Sequence, residues 1–191
     1  MRRFKEMRGQ KPEEYRVEVS SVFTDFIREE LEKKLGFALP PREDYMEGLV
    51  FRHKADIIYK PVLYIEAKVI FRPERVGPDH DKRMYQVALA AFDLKLRNKP
   101  DMKWSERKLI TPHVSFALAI PVETPEEVRK HVEEDMTSLL AHYLDSCNLY
   151  IFDLNNMKRR DDLLSNRNLR LDEYLEDIAK QIKFPSRQMR F

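Results

Sequence analysis

Asp56, Glu66 and Lys68 are the residues of this chain whose types and spacing could do chemistry. They lie between Ala55 and Phe71, a stretch that is otherwise largely apolar. Its β-branched and aromatic content predicts two strands joined at Lys60-Pro61. Side chains alternate across a strand, so Glu66 and Lys68 share one face while Leu63, Ile65, Ala67 and Val69 point the other way into a core. An antiparallel partner bearing Asp56 brings that carboxylate beside Glu66, and two acids and one ammonium then converge. Two carboxylates suit Mg²⁺, which prefers oxygen ligands, keeps several waters and is completed by phosphate oxygens. The lysine can orient or deprotonate a water, or stabilise developing charge. That is phosphodiester chemistry. The competing reading is a surface ion-pair set on a one-sided sheet, although burying charge without function is costly.

Context separates this triplet from others of the same form. In a chain that is 36% charged, Glu32-Lys33-Lys34, Asp93-Leu94-Lys95, Asp101-Met102-Lys103 and Glu106-Arg107-Lys108 also fit an acid-x-Lys pattern. Those four are expected in helices or polar loops, where charge is solvated at little cost. Glu66 alone sits in an apolar strand.

Asp56 followed ten positions on by Glu66-Ala67-Lys68, in strand-like sequence preceded by a long amphipathic helix, resembles the PD-(D/E)XK nuclease superfamily. That superfamily includes Type II restriction endonucleases and archaeal Holliday junction resolvases. The resemblance spans roughly Tyr15 to Leu96, and Ala55 stands where a proline often precedes the first aspartate. It implies an α/β, restriction-endonuclease-like fold, a mixed β-sheet flanked by α-helices, with Asp56 and Glu66 as Mg²⁺ ligands and Lys68 positioning or activating the attacking water. It also implies in-line hydrolysis leaving a 5′-phosphate.

The flanking elements carry further candidates. Val19, Val22, Phe23, Phe26, Ile27, Leu31 and Leu35 recur at helical spacing from Pro12 to Leu35, and Gly36 supplies a stop. Glu18 falls at the edge of that apolar stripe. The resemblance makes it an auxiliary metal or water ligand, while the residues alone allow a solvated flank position. A second helix is expected over Asp81 to Leu96, packed by Val87, Leu89, Ala90, Phe92, Leu94 and Leu96. Gln86 is the candidate there for the glutamine that faces the site in several branches of the superfamily, or simply a polar residue at a helix start. Tyr85 shares that ambiguity.

Loops at 40–48 and 97–112 are expected to carry recognition. In the first, Tyr45 and Met46 read as exposed apolar residues able to wedge beside a base step. In the second, Trp104 either seals the core or packs on nucleic acid. Net charge is only +2, so affinity for phosphate must come from local clusters. Arg2, Arg3, Lys5, Arg8 and Lys11 form a basic N-terminal arm, Lys158, Arg159, Arg160, Arg167 and Arg170 a later cluster, and Arg187 and Arg190 lie near the end. Arg159 and Arg160 are candidate contacts to DNA.

The remaining pattern is a strand over His113 to Val122, a capping box at Thr124-Pro125-Glu126-Glu127 starting a helix to about Leu144, a strand at Leu149 to Leu154 covered on both faces, and a helix from Leu171 to Ile182. The order implies one α/β sandwich domain over residues 1–191, with a C-terminal helical extension and no internal repeat. A single cysteine, Cys147, excludes an internal disulfide and a Cys-rich zinc or iron–sulfur site. The five histidines show no ligand spacing, although Asp79-His80-Asp81, expected in a loop, could bind a metal. Scattered glycines give no phosphate-binding loop, and no organic cofactor site is indicated. With no long apolar run and no apolar segment after the N-terminus, a cytoplasmic protein is expected, with no membrane partner.

Together these readings point to a Mg²⁺-dependent endonuclease on double-stranded DNA, a homodimer cutting both strands symmetrically, of Type II restriction type. The alternatives are a structure-selective repair or recombination nuclease and a catalytically silent nucleic-acid-binding protein on the same scaffold.

Overall fold

The computed structural model describes residues 12–41, 45–96, 111–153 and 169–183, with backbone alone at 12–20, 169 and 170. Helix α1 (Pro12–Leu35) ends where the periodic apolar positions do. Gly36 terminates it at φ +80°, a conformation that favours a residue without Cβ, and its N–H donates to the Glu32 carbonyl at 2.8 Å. The chain leaving the helix is tied back to it. The Arg28 guanidinium donates to the carbonyls of Leu39 and Pro40, and Leu39 N–H donates to the Glu32 carboxylate at 2.8 Å.

Two short antiparallel strands follow, β1 (Tyr45–Glu47), which lies inside the loop expected at 40–48, and β2 (Arg52–Lys54). Their turn is organised from outside. Asp93, on helix α2 (Val76–Leu96), accepts from Val50 N–H at 2.9 Å, Phe51 N–H at 3.0 Å and the His53 ring at 2.7 Å. Gly48 sits so close that a Cβ there would lie 2.0 Å from an Asp93 carboxylate oxygen. Asp93 is 4% exposed, so the acid expected on a solvated helix face is a buried anchor. Nothing in the local sequence marks a partner forty residues away.

The main sheet has the order β3-β4-β5-β6, formed by β3 (Ile57–Tyr59), β4 (Leu63–Val69), β5 (His113–Pro121) and β6 (Ser146–Phe152). The β3–β4 pair is antiparallel, and β4–β5 and β5–β6 are parallel, so the sheet is mixed. Helices α3 (Glu126–His142) and α4 (Leu169–Lys183), with a single 3-10 turn at Pro73–Arg75 ahead of α2, complete the described elements. Helices α1 and α4 cover one face, with Phe26, Ile27, Leu31, Leu175 and Ile178 against Leu63, Ile65 and Ala67. Helices α2 and α3 cover the other, with Met84, Val87, Leu94, Val132 and Met136 against Tyr64, Phe116, Leu118 and Ile120. The architecture is an α/β sandwich. Each fully buried Leu or Ile in these layers contributes about 1.5–3 kcal/mol by burial.

Several sequence expectations change in detail. Leu89 and Phe92 do not pack, because with Tyr85 they form an exposed stripe along α2. The capping box is not made: Pro125 is the N-cap without a side-chain bond, and the Thr124 hydroxyl instead donates to the Pro121 carbonyl at 2.7 Å. Strand β6 starts three residues earlier than expected and, among the described residues, lies at the edge of the sheet, with Tyr150 and Phe152 buried and Leu149 and Ile151 only partly covered. Among the described residues no helix is long and apolar enough to cross a membrane.

Asp93→Ala leaves two backbone N–H groups and the His53 ring without their acceptor and is expected to cost about 3 kcal/mol, measured by denaturant unfolding. Burial alone would raise the Asp93 carboxyl, but the bonds from His53, Phe51 and Val50 together hold it below the usual carboxylate range. A depressed acid stabilises the fold above its unfolded value and loses that contribution as pH falls through the folded one. Wild type should therefore lose more stability than Asp93→Ala on acidification.

Candidate active site

The β3–β4 hairpin sets the site. Its register pairs Ile57 with Ile65, Ile58 with Tyr64 and Tyr59 with Leu63, which places Asp56, one residue before β3, level with Glu66. Asp56 Oδ2 accepts the Ala67 N–H at 2.9 Å, so the carboxylate is fixed to the backbone of the neighbouring strand. The same oxygen accepts from Lys68 Nζ at 2.8 Å, and Lys68 Nζ also reaches Glu66 Oε1 at 2.7 Å. The three residues singled out from the sequence therefore converge, with the ammonium shared by both acids.

Burial separates this trio from an ordinary surface ion-pair set. The side chains of Asp56, Glu66 and Lys68 are 27%, 15% and 21% exposed. On the parallel side Glu66 and Lys68 are level with Phe116 and Leu118 of β5, both buried in the same layer as Tyr64. The floor is apolar, yet the rim stays accessible to a ligand. Burial pushes the Glu66 carboxyl up, Lys68 pulls it back, and Asp56 adds to the rise, so it stands above its ordinary value. For Lys68, burial alone would lower the ammonium, but Glu66 and Asp56 outweigh it and the net direction is upward. Burial, then Glu66 and Asp56, also raises the Tyr64 phenol, whose hydroxyl donates to the Lys54 carbonyl at 3.2 Å.

Asp56 and Glu66 offer hard oxygen donors from two different strands, as Mg²⁺ requires, and Lys68 already shows that one cation can be shared between them. The donor set therefore fits the ion.

The other candidates fare differently. Glu18 lies on α1, but its side chain is outside the described residues, as are Arg159, Arg160 and Trp104. Gln86 is exposed and accepts from Arg83 Nη1 at 3.2 Å, one turn earlier on the same helix. Arg83 was not foreseen. From α2 it favours the ionised form of Glu66, and no local signal distinguishes it from the many other arginines of the chain. Tyr45 is exposed on β1, with the Arg52 guanidinium 5.2 Å from its ring centre. Met46 corrects an expectation: at 1% exposure it belongs to the core on the α2–α3 side, because the alternation of β1 turns it inward, and it has no surface to wedge beside a base.

Compared with known proteins, the chain matches no family model, no curated protein and no solved structure.

Lys68→Met leaves Asp56 and Glu66 facing each other without a counter-charge. At neutral pH it should cost about 1–2 kcal/mol, less than a fully buried pair because the site is partly open. With the ammonium gone, the Glu66 carboxyl rises further, so stability returns as pH falls through its folded value. Thermal unfolding of both proteins at pH 5 and pH 8 should show a smaller gap at pH 5.

Proposed function

We propose that this chain is a Mg²⁺-dependent nuclease that hydrolyses phosphodiester bonds in double-stranded DNA, of the PD-(D/E)XK kind. The observation that carries the reading is one ammonium held at 2.8 and 2.7 Å between carboxylates from adjacent strands, over an apolar floor and under an open rim. A helix, an antiparallel hairpin, a second helix and a parallel strand in that order are compatible with a restriction-endonuclease-like fold.

Asp56 and Glu66 would hold Mg²⁺ through their carboxylate oxygens. When bound, that ion supplies Lewis-acid polarisation of the scissile phosphate and lowers the pKa of the attacking water. Displaced from its two acids but still tethered beside them, the Lys68 ammonium can donate to the attacking water or a phosphate oxygen and so orient one against the other. Ala67 N–H keeps the Asp56 carboxylate from rotating away while this happens. Arg83 adds positive charge on the α2 side, where a polyanion would approach. A homodimer, matching the two-fold symmetry of duplex DNA, would place one such site on each strand, and sequence-specific cleavage of the Type II restriction kind is the form we favour.

Supercoiled plasmid should be converted to discrete linear fragments with Mg²⁺ and remain intact with a chelator. Asp56→Ala, Glu66→Ala and Lys68→Ala should each reduce the rate by about 1000-fold or more. Fragment ends at one repeated sequence would support restriction, and cutting confined to branched substrates would replace it with structure selectivity. If folded wild type cleaves no duplex, junction or single strand with Mg²⁺ or Mn²⁺, the enzyme reading fails.

A further inference from the structure

A second cluster of chemistry-bearing side chains lies on the helical layer, between the start of α2 and the middle of α3. His80 and Asp81 come from α2, and His131 and Asp135 from α3. Asp79, grouped with His80 and Asp81 in the sequence, turns away and pairs with Arg75 at 2.6 Å. The segment is helical rather than a loop, which brings α3 into the set instead. His131 and Asp135 are four residues apart and therefore share a helix face. One ligand atom from each of the four residues lies within 4.8 Å of all the others.

Proton accounting at His80 is the decisive feature. The ring is 1% exposed. Its Nδ1 is 2.7 Å from the Gly77 carbonyl and 3.1 Å from the Val76 carbonyl, and since a carbonyl only accepts, Nδ1 carries the proton. The lone pair of the neutral tautomer then sits on Nε2. That atom faces only acceptors, Asp135 Oδ2 at 2.9 Å and Asp81 Oδ1 at 3.1 Å. A lone pair and two carboxylates directed at one point repel one another unless a positive charge lies between them. A proton on Nε2 would satisfy one geometry. A metal ion satisfies the same geometry and also accounts for the fourth group, His131, whose Nε2 is 3.6 Å from the same Asp135 oxygen. The Nδ1–H bond to a backbone carbonyl is the orienting arrangement that metal-binding histidines use.

We propose that His80, Asp81, His131 and Asp135 bind one divalent transition-metal ion, Zn²⁺ by the chemistry of its donors. Two imidazoles and two carboxylates match its preference for four mixed N and O ligands, whereas Mg²⁺ favours oxygen. Tetrahedral bonds of 2.0–2.1 Å need ligand atoms about 3.3 Å apart, so the exposed Asp81 and His131 side chains would move inward by roughly an ångström. The ion would clamp α2 to α3 one turn before Arg83, the α2 residue that acts on Glu66. The proposal is independent of the nuclease reading.

The test uses the full chain carrying Asp56→Ala, which weakens cation uptake at the other site, stripped with chelator and titrated with ZnCl₂ by calorimetry and with Co²⁺ in the visible. Expected are one equivalent of Zn²⁺, a higher melting temperature and the absorption of tetrahedral Co²⁺. Adding His131→Ala, a surface change that spares the buried ring, should weaken Zn²⁺ binding by about 100-fold or more. Adding Asp135→Asn should do the same. Binding unchanged by either substitution, or a His80 ring that keeps both N–H protons by NMR at saturating Zn²⁺, would overturn the proposal in favour of a simple imidazolium–carboxylate pair.

Discussion

One carboxylate oxygen carries two obligations in this fold. Asp56 Oδ2 accepts a backbone N–H from the adjacent strand and, at the same time, the ammonium of the next residue in that strand. Both bonds depend on the β3–β4 register. A slip by one residue would send Glu66 and Lys68 to the layer filled by Phe26, Ile27 and Leu31, and would bring Leu63, Ile65 and Ala67 out against Asp56. The packing of α1 and α4 therefore sets which polar side chains converge on the opposite face. The two halves of the sandwich are not interchangeable, since one supplies the constraint and the other supplies the open rim.

The buried charges at Asp93 and in the β3–β4 hairpin each meet specific partners. Asp93 is neutralised by two backbone N–H groups and a histidine, and in return it shapes the β1–β2 turn. His80 is enclosed by two carbonyls on one side and two carboxylates on the other. The Asp56–Glu66–Lys68 trio differs in kind, because its acids share a single ammonium and remain partly open. Their arrangement leaves carboxylate oxygen available to an incoming cation, whereas the Asp93 oxygens are already committed. Among the described residues, the other acid-x-Lys triplets, Glu32-Lys33-Lys34 and Asp93-Leu94-Lys95, lie on helices rather than on a strand between an apolar floor and an accessible rim.

Helix α2 links these features. Its buried face, Val76, Met84, Val87 and Leu94, packs on the sheet, its first turns hold His80 against α3, Arg83 acts on Glu66, and Asp93 near its end fixes the β1–β2 hairpin. Tyr85, Leu89 and Phe92 remain exposed on the same helix. A displacement of α2 would thus be felt at the rim of the candidate site and at the β1–β2 hairpin together, which is the physical reason a clamp between α2 and α3 would matter to the molecule.

The sequence by itself determined the elements and the core of the candidate site. Period-3.6 apolar spacing with a terminal glycine defined α1, and a β-branched run broken at Lys60-Pro61 defined the hairpin. Strand alternation then put Glu66 and Lys68 on one face, because these signals are local and their periods are set by backbone geometry. Tertiary structure alone decided that Met46 is buried, that Leu89 and Phe92 are not, and that Asp93 anchors a turn more than forty residues away. It also decided that His80 and Asp81 meet His131 and Asp135 across two helices. Each of those outcomes depends on which surface a second, distant segment covers, and a one-dimensional pattern carries no record of the partner that will lie against it.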